Sequence, residues 1–240
     1  LGPVGPGLHT TAANNASEIN TLTVTGAGAI TLNGDIQTSD AAGAGVSITG
    51  NVVLTTDGDS AITIDTDTSN DGNVTISGSV IGTNGTDQDL IIVSGTGDVS
   101  IGSIGTTSAT TNVRKIEINK ADTTNTGAIS IGNIGVGGAS GYAGADGAVY
   151  IGGADSGTIT LSGTIYHFDS TVAFQAAAAG SNKDIKLTGS SPTIETSDDT
   201  ITFETGVVYL DDGTTTINSS GAAITLTEVR GNTTNKDEQL

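Results

Sequence analysis

Carboxylates gathered into short turns are the residues of this chain with the plainest capacity for chemistry. Asp57-Gly58-Asp59, Asp65-Thr66-Asp67 and Asn70-Asp71-Gly72-Asn73 set oxygen donors close together, and Asp198-Asp199 and Asp211-Asp212-Gly213 repeat the theme. Calcium takes roughly six to eight oxygen ligands, which flexible loops of this kind can supply. Asp57, Asp59, Asp65, Asp67 and Asp71 are therefore the candidate residues for a structural calcium site, and calcium is the one cofactor the sequence suggests. Asp-Gly turns equally serve β-proteins that hold no metal.

Asp146 and Asp155 stand nine residues apart in Gly-rich sequence, which resembles calcium-binding nonapeptide repeats. The match is poor, because the aliphatic positions of that pattern fall on Ala148 and Gly157. Catalysis needs titratable groups converging on one groove. The basic residues are Arg114, Lys115, Lys120, Lys183, Lys186, Arg230 and Lys236, and only Val113 to Lys120 concentrates them, around Glu117. β-Helix enzymes that cleave acidic polysaccharides lean on such cations, yet a solvated mixed-charge strand explains the same residues. No nucleophile triad, nucleotide loop or His metal cluster can be assembled, so the chain is not expected to be an enzyme. Tyr166-His167-Phe168 is a candidate ligand patch for sugar stacking or partner docking. Alternation offers a plainer reading, with Tyr166 and Phe168 together in an internal plug and His167 facing solvent.

Composition narrows the classes further. The formal net charge of the 240 residues is −19, which repels nucleic acid and anionic membrane surfaces. No stretch approaches the roughly 20 apolar residues that span a bilayer. The absence of Cys removes disulfides, thiol catalysis and thiolate metal sites together. The chain opens on Leu1 rather than Met and shows no charged segment followed by an apolar one, so it reads as a processed chain or a piece of one, and secretion is an expectation from composition. Only 3% of the residues are aromatic and Trp and Met are absent, too few large side chains for an ordinary globular interior.

The element that must carry these residues is written in one recurring phrase: aliphatic, Ser or Thr, aliphatic, a small or polar residue, Gly. It reads Ile30-Thr31-Leu32-Asn33-Gly34, Val46-Ser47-Ile48-Thr49-Gly50 and Val74-Thr75-Ile76-Ser77-Gly78. Later copies are Val99-Ser100-Ile101-Gly102, Ile129-Ser130-Ile131-Gly132, Ile159-Thr160-Leu161-Ser162-Gly163 and Ile185-Lys186-Leu187-Thr188-Gly189. Ile48, Ile76, Ile101, Ile131, Leu161 and Leu187 are 28, 25, 30, 30 and 26 residues apart. A second ladder at Ile64, Ile92 and Ile118 keeps step, and Val52-Val53-Leu54 with Val80-Ile81 suggests a third. The spacing predicts an all-β chain, a single parallel β-solenoid (β-helix) of roughly eight coils of about 25–30 residues.

Local departures carry their own expectations. Gly135 to Gly147 reads as a loop protruding from one face, and Ala173 to Ala179 is the best helical candidate. Thr-x-Thr runs such as Thr21-Leu22-Thr23-Val24-Thr25 and Thr158-Ile159-Thr160 resemble the arrays of ice-binding solenoids. Those runs do not recur at one position per coil, and Thr is in any case a common outward strand residue.

Gly72-Asn73-Val74-Thr75-Ile76-Ser77-Gly78-Ser79-Val80 and Gly97-Asp98-Val99-Ser100-Ile101-Gly102-Ser103-Ile104-Gly105 together resemble the β-strand repeats of large bacterial surface proteins. Filamentous-haemagglutinin-like adhesins and autotransporter passengers are the families in question, and the resemblance covers roughly residues 20 to 226. It implies a secreted or cell-surface solenoid with a role in adhesion, matrix or fibre. The organisation expected is an uncharged leader over 1–18, a solenoid over 19–229 and a polar tail over 230–240. Exposed end coils need caps, and none is visible, so Ile19, Leu22, Val24, Ile30 and Leu32 are the candidate self-assembly residues. The expected function is a non-enzymatic subunit of an extracellular fibre or biofilm matrix, a homopolymer joined end to end. An adhesin binding a surface glycan and a polysaccharide-degrading enzyme are the alternatives.

Overall fold

In the recurring phrase every second residue is aliphatic, and an extended strand sends such residues to one side. The computed structural model describes residues 20–26, 28–38, 43–55, 60–67, 71–83, 88–105, 112–120, 126–137, 143–177, 184–211 and 213–231. Across them the chain is a single all-β solenoid of parallel strands, with no helix among the described residues. The strands stack in three ladders that form the faces of the coil.

The first face runs through nine strands, from Leu22–Thr25 to Val229–Gly231. Its register aligns Ile48, Ile76, Ile101, Ile131, Leu161 and Leu187, the same six residues whose spacing sets the coil length in the sequence. The third face is an eight-stranded sheet from Ile36–Gln37 to Ile224–Leu226, and it aligns Ile64 with Ile92 and Ile118. The second face aligns Val52 with Val80 and then Ile104, Ile134, Tyr166 and Ile194. In the middle coils Val74–Ile81, Val99–Ile104 and Ile129–Ile134 bend from the first face straight onto the second.

One copy of the phrase belongs elsewhere. Ile30–Leu32 lies on the second face against Val52–Leu54, while Leu22–Thr25 supplies the first-face rung of that coil. The inward row is a continuous apolar core, and Ile62, Ile64, Val74, Leu90, Ile92, Ile116, Ile129 and Ile159 are each 0% exposed. Aromatic side chains enter this core only in the C-terminal half. Phe174 stacks on Phe203 at 5.1 Å between ring centroids, and Phe168 meets Phe174 edge-on at 6.3 Å.

Two glycine columns frame the first face. Gly78, Gly102, Gly132, Gly163 and Gly189 follow the strand at the corner where the chain turns to the second face. A Cβ on Gly78 would stand 2.4 Å from the Gly50 carbonyl oxygen, and one on Gly132 or Gly189 would stand 1.8 Å from the carbonyl oxygen one coil away. The second column precedes the strand: a Cβ on Gly97 would meet the Gly72 oxygen at 2.2 Å and one on Gly127 the Gly97 oxygen at 1.9 Å. Glycine is thus required at these corners by the close approach of successive turns of backbone. The first-to-second corner holds two residues, Ser77 and Gly78, in one coil and Gly102 alone in the next, and the ladder shifts register there as a bulge.

Buried hydroxyls close the corner between the third and first faces. Thr38 Oγ1 donates to the Ala44 carbonyl at 2.9 Å, Thr66 Oγ1 to Gly72 at 2.6 Å and Ser94 Oγ to Gly97 at 2.7 Å. Asn119, in a left-handed conformation with φ of 53°, accepts the Ser94 N–H on its Oδ1 at 2.9 Å. The three hydroxyls give backbone carbonyls of the corner a donor, and Asn119 gives the Ser94 N–H an acceptor.

Two expectations change. Ala173 belongs to the strand Val172–Gln175, and Ala176 and Ala177 follow it buried, so the described part of Ala173 to Ala179 is not helical. In the Gly-rich segment, Ala143 and Ala145 are buried, Gly144 N–H bonds the His167 carbonyl, and Ala145 bridges Val113. The centre of the expected loop, 138–142, lies outside the described residues. The polar tail also begins later, because Arg230 and Gly231 complete the last first-face strand.

Gly132→Ala is expected to lower stability by about 1–3 kcal/mol through forced overpacking. Gly28→Ala is the matched control, since a Cβ there meets nothing within 4 Å. A urea midpoint for Gly132→Ala equal to that of the control overturns the steric account of the column.

Candidate functional site

Of the carboxylates proposed for calcium, Asp65, Asp67 and Asp71 are described, and they do not form a three-ligand cluster. Asp57 and Asp59 lie outside the described residues. Asp65 Oδ1 accepts the Asp67 N–H at 2.9 Å, and Asp71 Oδ2 accepts the Thr96 N–H of the next coil at 2.7 Å. Asp67 and Asp71 approach each other over Gly95, where a Cβ would stand 2.5 Å from an oxygen of each. Burial raises the Asp71 carboxyl, but the hydrogen bonds from Thr96, with those from Asp67 and its own backbone, outweigh it and hold the group below its usual value. Among the described residues no three His, Cys, Asp or Glu side chains converge in a way that would hold a metal. Turn carboxylates elsewhere act as acceptors for backbone N–H groups of the following coil: Asp35 for Thr63 and Asp98 for Ala128, both at 2.8 Å.

The nonapeptide-like pair is separated. Asp146 precedes the strand Val149–Gly152 and Asp155 follows it, so the two sit at opposite ends of one rung. Asp146 accepts a hydrogen bond from Asn112 Nδ2, and Asn112 Oδ1 is buried without a partner. Burial, with the nearby negative charge of Asp169, pushes the Asp146 carboxyl above its usual range.

The basic stretch is occupied by internal pairs. Arg114 grips Asp89 with two bonds, Nε to Oδ1 at 2.7 Å and Nη2 to Oδ2 at 2.8 Å. Lys115 and Lys120 both reach Glu117 Oε1, at 2.8 and 2.5 Å, and Lys120 Nζ also lies 3.5 Å from the centre of the Tyr150 ring. Burial raises the Glu117 carboxyl, and its bonds and attraction to the two lysines more than reverse that. Each of these three cations thus has a carboxylate partner on its own wall.

Tyr166 and Phe168 are 0% exposed and cannot form a docking patch. Alternation turns both inward, where the Tyr166 hydroxyl donates to the Ile131 carbonyl at 3.2 Å and accepts the Gly163 N–H at 2.7 Å. Burial pushes its phenol well above the usual value. His167 points outward but is half-buried, with Nδ1 3.0 Å from the Val136 carbonyl and 3.5 Å from Glu195 Oε1.

The outer surface of the first face holds two features that appear only once the strands are in register. Thr23, Ser47, Thr75, Ser100, Ser130 and Thr160 align as a single outward column of hydroxyls. The Thr-x-Thr runs thus do contribute to a one-per-coil row, with Ser filling the rungs between Thr23, Thr75 and Thr160. After Thr160 the same column changes to Lys186, Tyr209 and Arg230. Here Asp184, Lys186, Thr188, Tyr209 and Asp211 line a cleft of about 280 Å³. Arg230 Nη1 reaches the Tyr209 hydroxyl at 3.4 Å while its Nε pairs with Glu228 at 2.6 Å. No short sequence motif marks this cleft, because its residues come from successive coils.

No protein-family model, curated protein or solved structure matches this chain.

The raised Asp146 carboxyl has a definite consequence for stability. A carboxyl whose folded value lies above its ordinary 3.8 weakens the fold while ionised, and that cost disappears as pH falls below 3.8. Asp146→Asn keeps an acceptor for Asn112 and removes the charge. It is expected to raise the melting temperature at pH 7, with the gain over wild type shrinking towards zero below pH 3.8. A lower melting temperature at pH 7 contradicts this assignment.

Proposed function

We propose that this chain is a non-enzymatic structural protein of the cell surface or extracellular matrix, a subunit of fibres in which solenoids join end to end. The observation that carries the reading is the contrast between the middle and the ends of the rod. Inward residues of the central coils are fully buried, yet at the C-terminal end Ile224 is 41% exposed and Ile217, Leu226 and Val229 are only partly covered. Ile217, Ile224 and Leu226, with Thr214, Thr215 and Thr216, line an open groove of about 330 Å³. At the other end Leu22, Val24 and Ile30 are half-buried, Leu32 is covered by its own coil, and Ile19 lies outside the described residues.

Backbone chemistry supports the same reading. Among the described residues Leu22–Thr25, Ile30–Leu32 and Ile36–Gln37 pair on one side only, as do Thr216–Asn218, Ile224–Leu226 and Val229–Gly231. Open strand edges of this kind are templates for strand addition. A head-to-tail contact between unlike ends does not close on itself and gives a filament. The acidic composition and the resemblance to bacterial surface repeats support an extracellular setting.

The full chain is expected to sediment as concentration-dependent oligomers and to appear by electron microscopy as rods longer than one molecule. Ile224→Lys places a charge on the open rung and is expected to leave a monomer with an unchanged melting temperature. Protein that stays monomeric at every concentration, with calcium or with a chelator, overturns the proposal.

A further inference from the structure

We propose that the cleft around Tyr209 on the first face binds a neutral oligosaccharide. This inference concerns the side of the rod and is independent of end-to-end assembly. Among the described tyrosines, Tyr166 is buried and Tyr150 lies under the Lys120 ammonium, whereas Tyr209 is half-buried in the wall of an open cleft. An aromatic ring beside a cleft offers an apolar face to the C–H face of a sugar ring, with a polar edge for its hydroxyls. Asp184 and Asp211 supply carboxylate acceptors for paired hydroxyls, and the Lys186 ammonium and Thr188 hydroxyl supply donors. A few placed polar groups around one apolar platform are the usual furnishing of a small-molecule site.

Charge selects the class of sugar. The two aspartates oppose the Lys186 ammonium within the cleft, and Arg230 is paired with Glu228. The surrounding protein carries a net charge of −19, which disfavours sulfated or uronic polymers. N-terminal to the cleft the outward column is small and uncharged from Thr160 back to Thr23. Past Lys186, a sugar polymer seated at Tyr209 meets no bulky or charged side chain in that column towards the N-terminal end of the rod.

The test is isothermal titration calorimetry of the full chain with maltohexaose, cellohexaose, laminarihexaose and mannohexaose, and with hexagalacturonate as the anionic probe. Saturable binding of at least one neutral hexasaccharide is expected, with none of hexagalacturonate. Tyr209→Ala is expected to weaken it at least about tenfold, the loss of roughly one stacking contact, while Tyr209→Phe retains it. Lys186→Ala, at an exposed position, is expected to weaken it without altering the fold. The proposal is overturned if no neutral hexasaccharide saturates, if both Tyr209→Ala and Lys186→Ala bind as the wild type, or if hexagalacturonate binds more tightly.

Discussion

Parallel, in-register stacking of one turn of backbone on the next is the constraint from which the rest of this structure follows. Neighbouring strands lie about 4.8 Å apart, so each residue has its counterpart one coil away as its nearest neighbour. A side chain is acceptable only if it can sit beside its equivalent. Aliphatic residues do so inside, where Ile48, Ile76 and Ile101 form one column. Glycine does so at the corners, where a carbonyl oxygen occupies the space a Cβ would need. Like charges do not, and their distribution reflects it. In the column that precedes the first face, Asp98 lies between Asn73 and Ala128, and its carboxylate accepts the Ala128 N–H. On the third face Asp89 is aligned with Lys115 and clasps Arg114. A chain of this net charge can stack in register because its acids are spaced along the columns or given backbone and cationic partners.

The same constraint explains what could be read in the sequence. A periodic neighbour requirement leaves a periodic trace, so the spacing of Ile48 through Leu187 and of Ile64, Ile92 and Ile118 could be converted directly into register. The phrase does not encode which side of the coil it occupies. Ile30-Thr31-Leu32 is indistinguishable by residue type from Ile159-Thr160-Leu161, yet the first lies on the second face and the other on the first. The side is decided by the number of residues around the corners, which varies from coil to coil.

Functional groups were less legible than the fold because their partners lie far away in sequence. A linear reading gives Asp65, Asp67 and Asp71 as oxygen donors and does not show that Asp65 accepts the Asp67 N–H or that Asp71 accepts the Thr96 N–H of the following coil. Tyr166 and Phe168 look like a surface patch, but strand alternation places both in the core. The Tyr209 cleft has the opposite history. Lys186, Tyr209 and Arg230 are unrelated residues along the chain, and only the stacking of three coils makes them adjacent.

The buried hydroxyls at the corner between the third and first faces bear on how such a rod can vary. Thr38 and Thr66 each reach a carbonyl six residues ahead, whereas Ser94 reaches one three residues ahead, and all three fasten the base of the connection. The connections also touch one another: Asp67 and Asp71 of one coil lie over Gly95 of the next, and Asp71 accepts the Thr96 N–H there. Each hydroxyl fixes its connection within its own coil, while the carboxylates tie that connection to the coil stacked on it. A change at this edge is therefore felt one coil away, so surface variation along the rod is inherited in neighbouring pairs rather than rung by rung.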